Sequence, residues 1–399
     1  MWENSINVEQ ICEIRSKSIV YLGVGAISKI NDIASNLKSR NITKIIAVTG
    51  KKAYRSTGAW NHVVKALEQS GIDYTIYDGV TPNPTTHQVD EATKMAIEFG
   101  ARAVISIGGG SPIDAAKSVA ILINYPENTA QELYEYSFTP TSAVPLIAIN
   151  LTHGTGTEID RFAVVSIPEK EFKPYIAYDF IYPEYSIDDP GLMLNLPEDQ
   201  TLYVTIDALN HVIEACTSKA ASPYSIMLAK ETARLIAKYL PIVKENPKDL
   251  KARYFLTYAS MIAGVSFDNG LLHFTHALEH PLSAIKPDLA HGLGLSLIVP
   301  AVVRQIYSAS CQTLADVLSP IIPDLKGTTD ESDKVFVDLR NWIEKMGITP
   351  GLKNAGYSEK DIEHLTNLAF DTPGLASLLS LAPVEASRTV VSDIYTRSL

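Results

Sequence analysis

Cysteine is scarce in this chain, and the three that occur, Cys12, Cys216 and Cys311, stand far apart with no C-x-x-C spacing. That argues against a disulfide framework and a thiolate metal centre, and the three are read as small buried apolar side chains in a reducing compartment. Positive charge is also short: 34 Lys and Arg face 45 Asp and Glu, for a formal net charge of −11, and no basic stripe interrupts the pattern. Affinity for nucleic acid rests on neutralising phosphates, so no nucleic-acid partner is expected. The N-terminal MWENSINVEQICEIR lacks the apolar stretch of a secretory signal. Long hydrophobic runs are missing too; the longest, near Gly292 to Val303, is interrupted by Pro300 and falls short of the about 20 residues a membrane span needs. The expectation is a soluble, cytoplasmic protein with no membrane partner.

Apolar residues make up 46% of the 399, enough to bury a core in each of two domains. From Ile42 to Ile149, short β-branched runs ending at Thr49, Val80, Ile107 and Ile149 alternate with amphipathic stretches. This predicts β-α-β units and a parallel sheet, with ligands at the loops that follow the strands. Beyond Pro190 the strand signal stops. Ile226, Ala229, Ala233, Ile236 and Leu240 then recur at helical spacing, so the second half is predicted to be all-helical. The boundary is placed at 188–192, giving an α/β domain over 1–190 and a helical domain over 191–399.

Two loops carry the chemistry of the first half. GGGSPIDAAK, Gly108 to Lys117, follows a predicted strand and opens a helix. Three glycines admit a diphosphate close to the backbone, and the helix N-terminus offers unpaired N–H groups. A plain strand-to-helix turn is the alternative, since the run matches neither G-x-G-x-x-G nor a P-loop. The second loop, LTHGTGTEID, presents Thr152, Thr155 and Thr157 at a strand end.

In the second half, Asp207 and His211 stand at i, i+4, as do His276 and His280, with His273 one turn earlier and His291 before a glycine. Such spacing places ligands on one helix face, and a carboxylate with three imidazoles suits Zn²⁺ or Fe²⁺. Taken singly, each histidine is a hydrogen-bonded core or surface residue, and His62, His87 and His364 stay in that class.

Together these residues resemble the iron-containing, or group III, alcohol dehydrogenases. DGVTPNPT (Asp78–Thr85), GGGSPIDAAK, LTHGTGTE, IDALNHVIEA, HALEHPLS and AHGLG occur in that family's order, and HGTGTE and TGKKAY are similar to members from thermophiles. The resemblance implies a dehydroquinate synthase-like fold, a dinucleotide-binding α/β domain with a parallel sheet plus an all-α metal-binding domain, and a homodimer. It implies metal ligands Asp207, His211, His276 and His291, with His280 as an active-site histidine near the nicotinamide. Cofactor contacts fall on Asn83, Gly109, Gly110, Ser111, Asp114, Thr152, Thr155 and Lys173. Ile206, Asn150, Leu151 and His153 depart from the family pattern, and His276 to His291 is one residue longer.

Where NAD-specific members carry an Asp after the second strand, this chain has Gly50, Lys51 and Lys52. A missing carboxylate and adjacent cations predict preference for NADP(H) over NAD(H), unless the lysines merely begin a solvated helix. The implied activity is hydride exchange between the nicotinamide and a small primary alcohol or aldehyde. The metal would polarise the C–O bond, and His280, titrating near neutral pH, would relay the proton. Glycerol- or polyol-dehydrogenase-like chemistry, dehydroquinate synthase-like chemistry, and a non-redox metal-binding role on the same fold are the competing readings. The synthase would need a Lys/Arg cluster that the helical half lacks.

Overall fold

The structure is a computed structural model that describes residues 2–6 and 9–399. Met1, Asn7 and Val8, part of the N-terminal stretch read for a signal, lie outside the described residues.

Six strands form one parallel sheet in the order β1-β8-β5-β4-β2-β3, where β1 is Ile19–Leu22, β2 Lys44–Gly50, β3 Asp73–Val80, β4 Val104–Gly108, β5 Leu146–Asn150 and β8 Tyr185–Asp188. A hairpin of β6 (Phe162–Val164) and β7 (Tyr175–Ala177) stands apart. The four strands expected from β-branched runs are all present. β1, β6, β7 and β8, three or four residues each, were not expected, because runs so short carry no period. Parallel strands buried on both faces read as continuous apolar runs, and β4 and β5 are buried throughout.

The carboxyl ends of β4, β5 and β8 lie side by side, with Gly108 paired to Asn150 and Asn150 to Asp188. That register brings the glycine loop and the threonine loop to one edge. The helix α1 (Gly110–Leu122) starts there.

After Asp188 the described residues contain no strand. Five helices build the second half around the site: α2 (Glu198–Thr217), α3 (Pro223–Glu245), α4 (Leu250–Gly270), α5 (Phe274–Ile285) and α6 (His291–Leu318). The predicted stripe on α3, Ile226 to Leu240, is buried at all five positions. The N-terminal segment crosses to this half: the Trp2 N–H donates to Asp316 at 2.8 Å and the Arg15 N–H to Asn269 at 2.6 Å.

Two expectations are corrected here. The run near Gly292 is not broken at Pro300; α6 continues through it and kinks only at Ser310 (φ −136°, ψ 26°). Pro300 is buried within the helix, at the cost of the one hydrogen bond that proline cannot make. Among the described residues, α6 is long and apolar enough to cross a bilayer, yet 72% of its most apolar window is buried inside the chain, as in a core helix. The cysteines are not uniformly buried either: Cys216 is, Cys311 is half-buried and Cys12 is exposed, because Cys12 lies on the extended N-terminal segment.

Candidate metal and cofactor site

Three helices bring the ionisable groups together. Asp207, His211 and Glu214 follow one another on α2 at steps of four and three, so they share a face. His276, Glu279 and His280 lie on α5, and His291 opens α6. Ligand atoms of Asp207, His276 and His291 fall within 4.8 Å of one another. Asp207 Oδ1 is 3.4 Å from His276 Nε2 and 3.3 Å from His211 Nε2, and the His211 and His276 rings stack at 4.7 Å. Three of the four expected ligands thus meet at one point, and His211 flanks it through Asp207.

Asp207 Oδ1, His276 Nε2 and His211 Nδ1 are buried without a hydrogen-bond partner. Unpaired buried polar atoms are costly, and a carboxylate oxygen facing imidazole nitrogens fits a divalent cation.

Two buried glutamates support this set. Glu214 Oε1 accepts from the N–H groups of His273 (2.9 Å), Thr275 (2.8 Å) and His276 (3.3 Å), which caps α5. Its Oε2 accepts from His276 Nδ1, and Glu279 Oε2 accepts from His291 Nδ1. A carboxylate can only accept, so each ring carries its proton on Nδ1 and turns an Nε2 electron pair outward. Burial alone would push the Glu214 carboxyl up, but the His276 charge and hydrogen bond hold it at about 2. Burial likewise opposes ionisation of Glu279, and His291 and Lys173 keep it well below the carboxylate range. Burial disfavours a charged His276, and Glu214 and Asp207 outweigh it, raising the imidazole to about 9, so without a cation Nε2 takes a second proton in the cation's place. The pocket is therefore strongly attractive to positive charge.

His280 differs from expectation. Its Nδ1 meets the Lys173 carbonyl at 2.8 Å, and burial, then the Lys173 charge, hold it well below the ordinary imidazole range. It is a neutral hydrogen-bonding group rather than one titrating near neutral pH. His273 is structural: it caps α5, accepting from the Phe274 N–H at 2.7 Å, and meets Thr217 Oγ1 at 3.0 Å. His62, His87 and His364 are exposed.

On the sheet side, Gly109 and Gly110 pass so close to the threonine loop that a Cβ on either would sit 2.8 Å from the side chain of Thr152 or Thr155. Their lack of a side chain serves this loop-to-loop contact as well as approach to a diphosphate. Ser111 follows, half-buried, in the first turn of α1, and Gly50 ends β2 beside the exposed Lys51.

Three residues expected at the cofactor have polar groups engaged within the protein. Asp114 accepts from Thr157 Oγ1 at 2.6 Å and from the Val164 N–H at 3.0 Å. Lys173 Nζ donates to Asn83 Oδ1 and Ser283 Oγ, both at 2.8 Å, and lies 3.3 Å from Glu279. Asn83 Nδ2 donates to the carbonyls of Pro287 and Leu289. Lys173 and Asn83 are buried, and an ammonium removed from water needs partners; these two close the gap between the loop after β3 and the metal set.

Glu214, Glu279 and Arg253 are the functional candidates that sequence reasoning missed. Glu214 lies seven residues after Asp207 and Glu279 three after His276, so helical spacing alone could have flagged both. Arg253 carries no motif.

A parallel sheet with a glycine-opened helix at its carboxyl edge, facing helices that gather a carboxylate and imidazoles, defines a class of two-part, metal- and dinucleotide-using oxidoreductases. Residues 17–190 match the family model "Iron-containing alcohol dehydrogenase", and residues 201–399 match "Fe-containing alcohol dehydrogenase family, C-terminal". The chain is 56% identical over 398 residues, covering 100% of both chains, to the long-chain primary alcohol dehydrogenase AdhA of Thermoanaerobacter ethanolicus. It is 29% identical to the NADPH-dependent butanol dehydrogenase of Clostridium saccharobutylicum, covering 88% of each chain. Among solved structures, the NADH-dependent butanol dehydrogenase A of Thermotoga maritima superposes with a TM-score of 0.89 at 28% identity, covering 97% of this chain and 98% of that one. The chain belongs to the iron-containing alcohol dehydrogenase family, whose members use a metal and a nicotinamide cofactor.

Proposed function

We propose that this alcohol dehydrogenase interconverts primary alcohols and aldehydes, prefers NADP(H), and holds Fe²⁺ or Zn²⁺ through Asp207, His276 and His291 with His211 as the fourth ligand. The carrying observation is the set of buried, unpartnered ligand atoms converging from α2 and α5. Residues 1–190 would hold the dinucleotide and 191–399 the metal and the substrate.

When bound, the cation supplies Lewis-acid polarisation of a C–O bond and the dinucleotide supplies the hydride acceptor or donor. Glu214 and Glu279 keep His276 and His291 in the tautomer that leaves Nε2 free, and Lys173 balances the Glu279 charge. His280, donating from Nδ1 to the Lys173 carbonyl, keeps Nε2 available to accept a hydrogen bond from the alcohol hydroxyl.

The NADP(H) preference is supported by Gly50 at the end of β2 and the exposed Lys51 and Lys52, which offer counter-charge to a 2′-phosphate. Asp78 on the neighbouring β3 is held by the Tyr54 hydroxyl at 3.1 Å. The test is anaerobic reconstitution with Fe²⁺ or Zn²⁺, then absorbance at 340 nm with NADPH or NADH and straight-chain aldehydes of increasing length. The long-chain name of the 56% identical relative recommends including the longer ones. NADPH should give the higher kcat/KM, and equal or higher values with NADH reject the preference. A homodimer in the cytoplasm completes this reading, tested by light scattering and cell fractionation.

A further inference from the structure

Among the described residues Arg253 is the largest fully buried side chain, and its hydrogen bonds go to Pro247, His153 and Thr201, none of them a carboxylate. It lies in the first turn of α4, where its Nη1 donates to His153 Nε2 and to Thr201 Oγ1, both at 2.8 Å. Its Nε donates to the Pro247 carbonyl at 3.0 Å. Because the guanidinium can only donate, His153 accepts at Nε2 and carries its proton on Nδ1, 3.3 Å from Thr205 Oγ1. Thr205 passes its own proton to the Thr201 carbonyl at 2.7 Å. Burial, then the Arg253 charge, lower the His153 imidazole to about 3, so it stays neutral and the acceptor role is permanent.

The position of His153 gives this network its meaning. Its neighbours Thr152 and Thr155 face the glycine loop, while a Cβ on Gly154 would fall 2.0 Å from the Val204 carbonyl of α2. The loop is wedged between the expected diphosphate site and the helix that bears Asp207, two residues beyond Thr205.

We propose that His153 and Arg253 form a latch that fixes the cofactor-side threonine loop against the metal-bearing helix α2, and so sets the distance between nicotinamide and substrate. His153 is a positioning residue. The inference rests on the dehydrogenase reading above.

The test compares the metal-loaded wild type with His153→Ala and His153→Gln. Glutamine retains an acceptor for Arg253 and a donor for Thr205. Readouts are metal per chain, NADPH Kd by fluorescence, kcat, and the kinetic isotope effect with deuterated alcohol. Misplacing reacting groups by an ångström can lower rate by about 100-fold. H153A should therefore lose at least about tenfold in kcat with a larger isotope effect, keep metal and NADPH affinity within about twofold, and be rescued by H153Q. Unchanged kcat in H153A overturns the latch. So does equal loss in both variants accompanied by loss of metal or NADPH binding, which marks fold damage. A wild type that binds NADPH but transfers no hydride to any aldehyde overturns the reading beneath it instead.

Discussion

On the sheet side the site is made of backbone: Gly109 and Gly110 let two loops touch, and the Thr152 and Thr155 side chains are what they touch. On the helical side it is made of side chains, two of whose imidazoles are fixed by buried carboxylates, His276 by Glu214 and His291 by Glu279. Electrostatics separates the two sides as well. Glu158, Asp160 and Asp188, near the strand ends, are pushed up by burial, whereas Glu214 and Glu279 are held down despite it. Around Glu158 and Asp188, which repel one another, burial wins and protons stay, whereas Asp160 keeps the Lys117 ammonium beside it at 2.7 Å. Around Glu214 and Glu279, histidine and lysine charge keeps the carboxylates ionised, and the pocket draws a cation.

The hardest test of that contrast removes one group from the helical side and reads both sides. His276→Ala deletes the nitrogen that stands 3.4 Å from Asp207 Oδ1. Metal content should fall to background with no measurable turnover, while NADPH still binds, since among the described residues the ring's polar and ring partners are Asp207, Glu214, His211 and His291, none of them in the glycine or threonine loop. Loss of NADPH binding in equal measure would show that the two sides are one unit. Glu214→Gln comes next. Removing an outer carboxylate typically lowers metal affinity about 10- to 100-fold. Glu214 also caps three N–H groups of α5, so its loss should exceed that from Glu279→Gln. Competition with a chromophoric chelator measures both, and the reverse ranking would make the cap irrelevant to the metal.

Much of this was legible beforehand because it repeats at regular intervals. The stripe from Ile226 to Leu240 and the pairs Asp207–His211 and His276–His280 follow the helical step, and the glycines sit where strands end. The parts that were not legible depend on distant partners. Nothing local in Lys173 or Asn83 says that they will meet each other and the helices beyond residue 279, and Arg253 lies in the unremarkable LKARYFL. Asp114 was assigned outward from its motif, yet the hairpin β6–β7 offers it the Val164 N–H instead. Pro300 misled because the rule that proline ends helices weighs local geometry, while α6 is held by packing along its length.

A smaller effect probes the loop contact on the sheet side. In Gly110→Ala the new Cβ meets Thr155 Cγ2 at 2.8 Å, well inside contact distance. Overpacking typically costs about 1–3 kcal/mol, so NADPH affinity should weaken about tenfold with metal content unchanged. Adding Thr155→Ser removes the clashing methyl and should restore most of that affinity in a fluorescence titration. If the double variant is no better than the single one, the glycine serves the diphosphate alone.

The smallest expected change is also the most specific to the electrostatic contrast. Asp188 is raised from 3.8 to about 7 by burial, against a hydrogen bond from Asn150 Nδ2 at 3.0 Å. Between those values the folded chain keeps a proton that the unfolded chain has released, so this carboxyl opposes folding increasingly as pH rises from 3.8 to about 7. Glu214 has the opposite sign: lowered from 4.5 to about 2, it stabilises the fold above 4.5, and that contribution disappears as pH falls towards 2. Asp188→Asn keeps an acceptor for Asn150 and removes the ionisation. Its Tm should exceed that of the wild type by about 2 °C at pH 8 and match it at pH 4, measured by calorimetry at equal metal loading. A gain of the same size at both pH values would mean that the asparagine improves packing, and the buried acid near the strand ends would then carry no charge-linked strain.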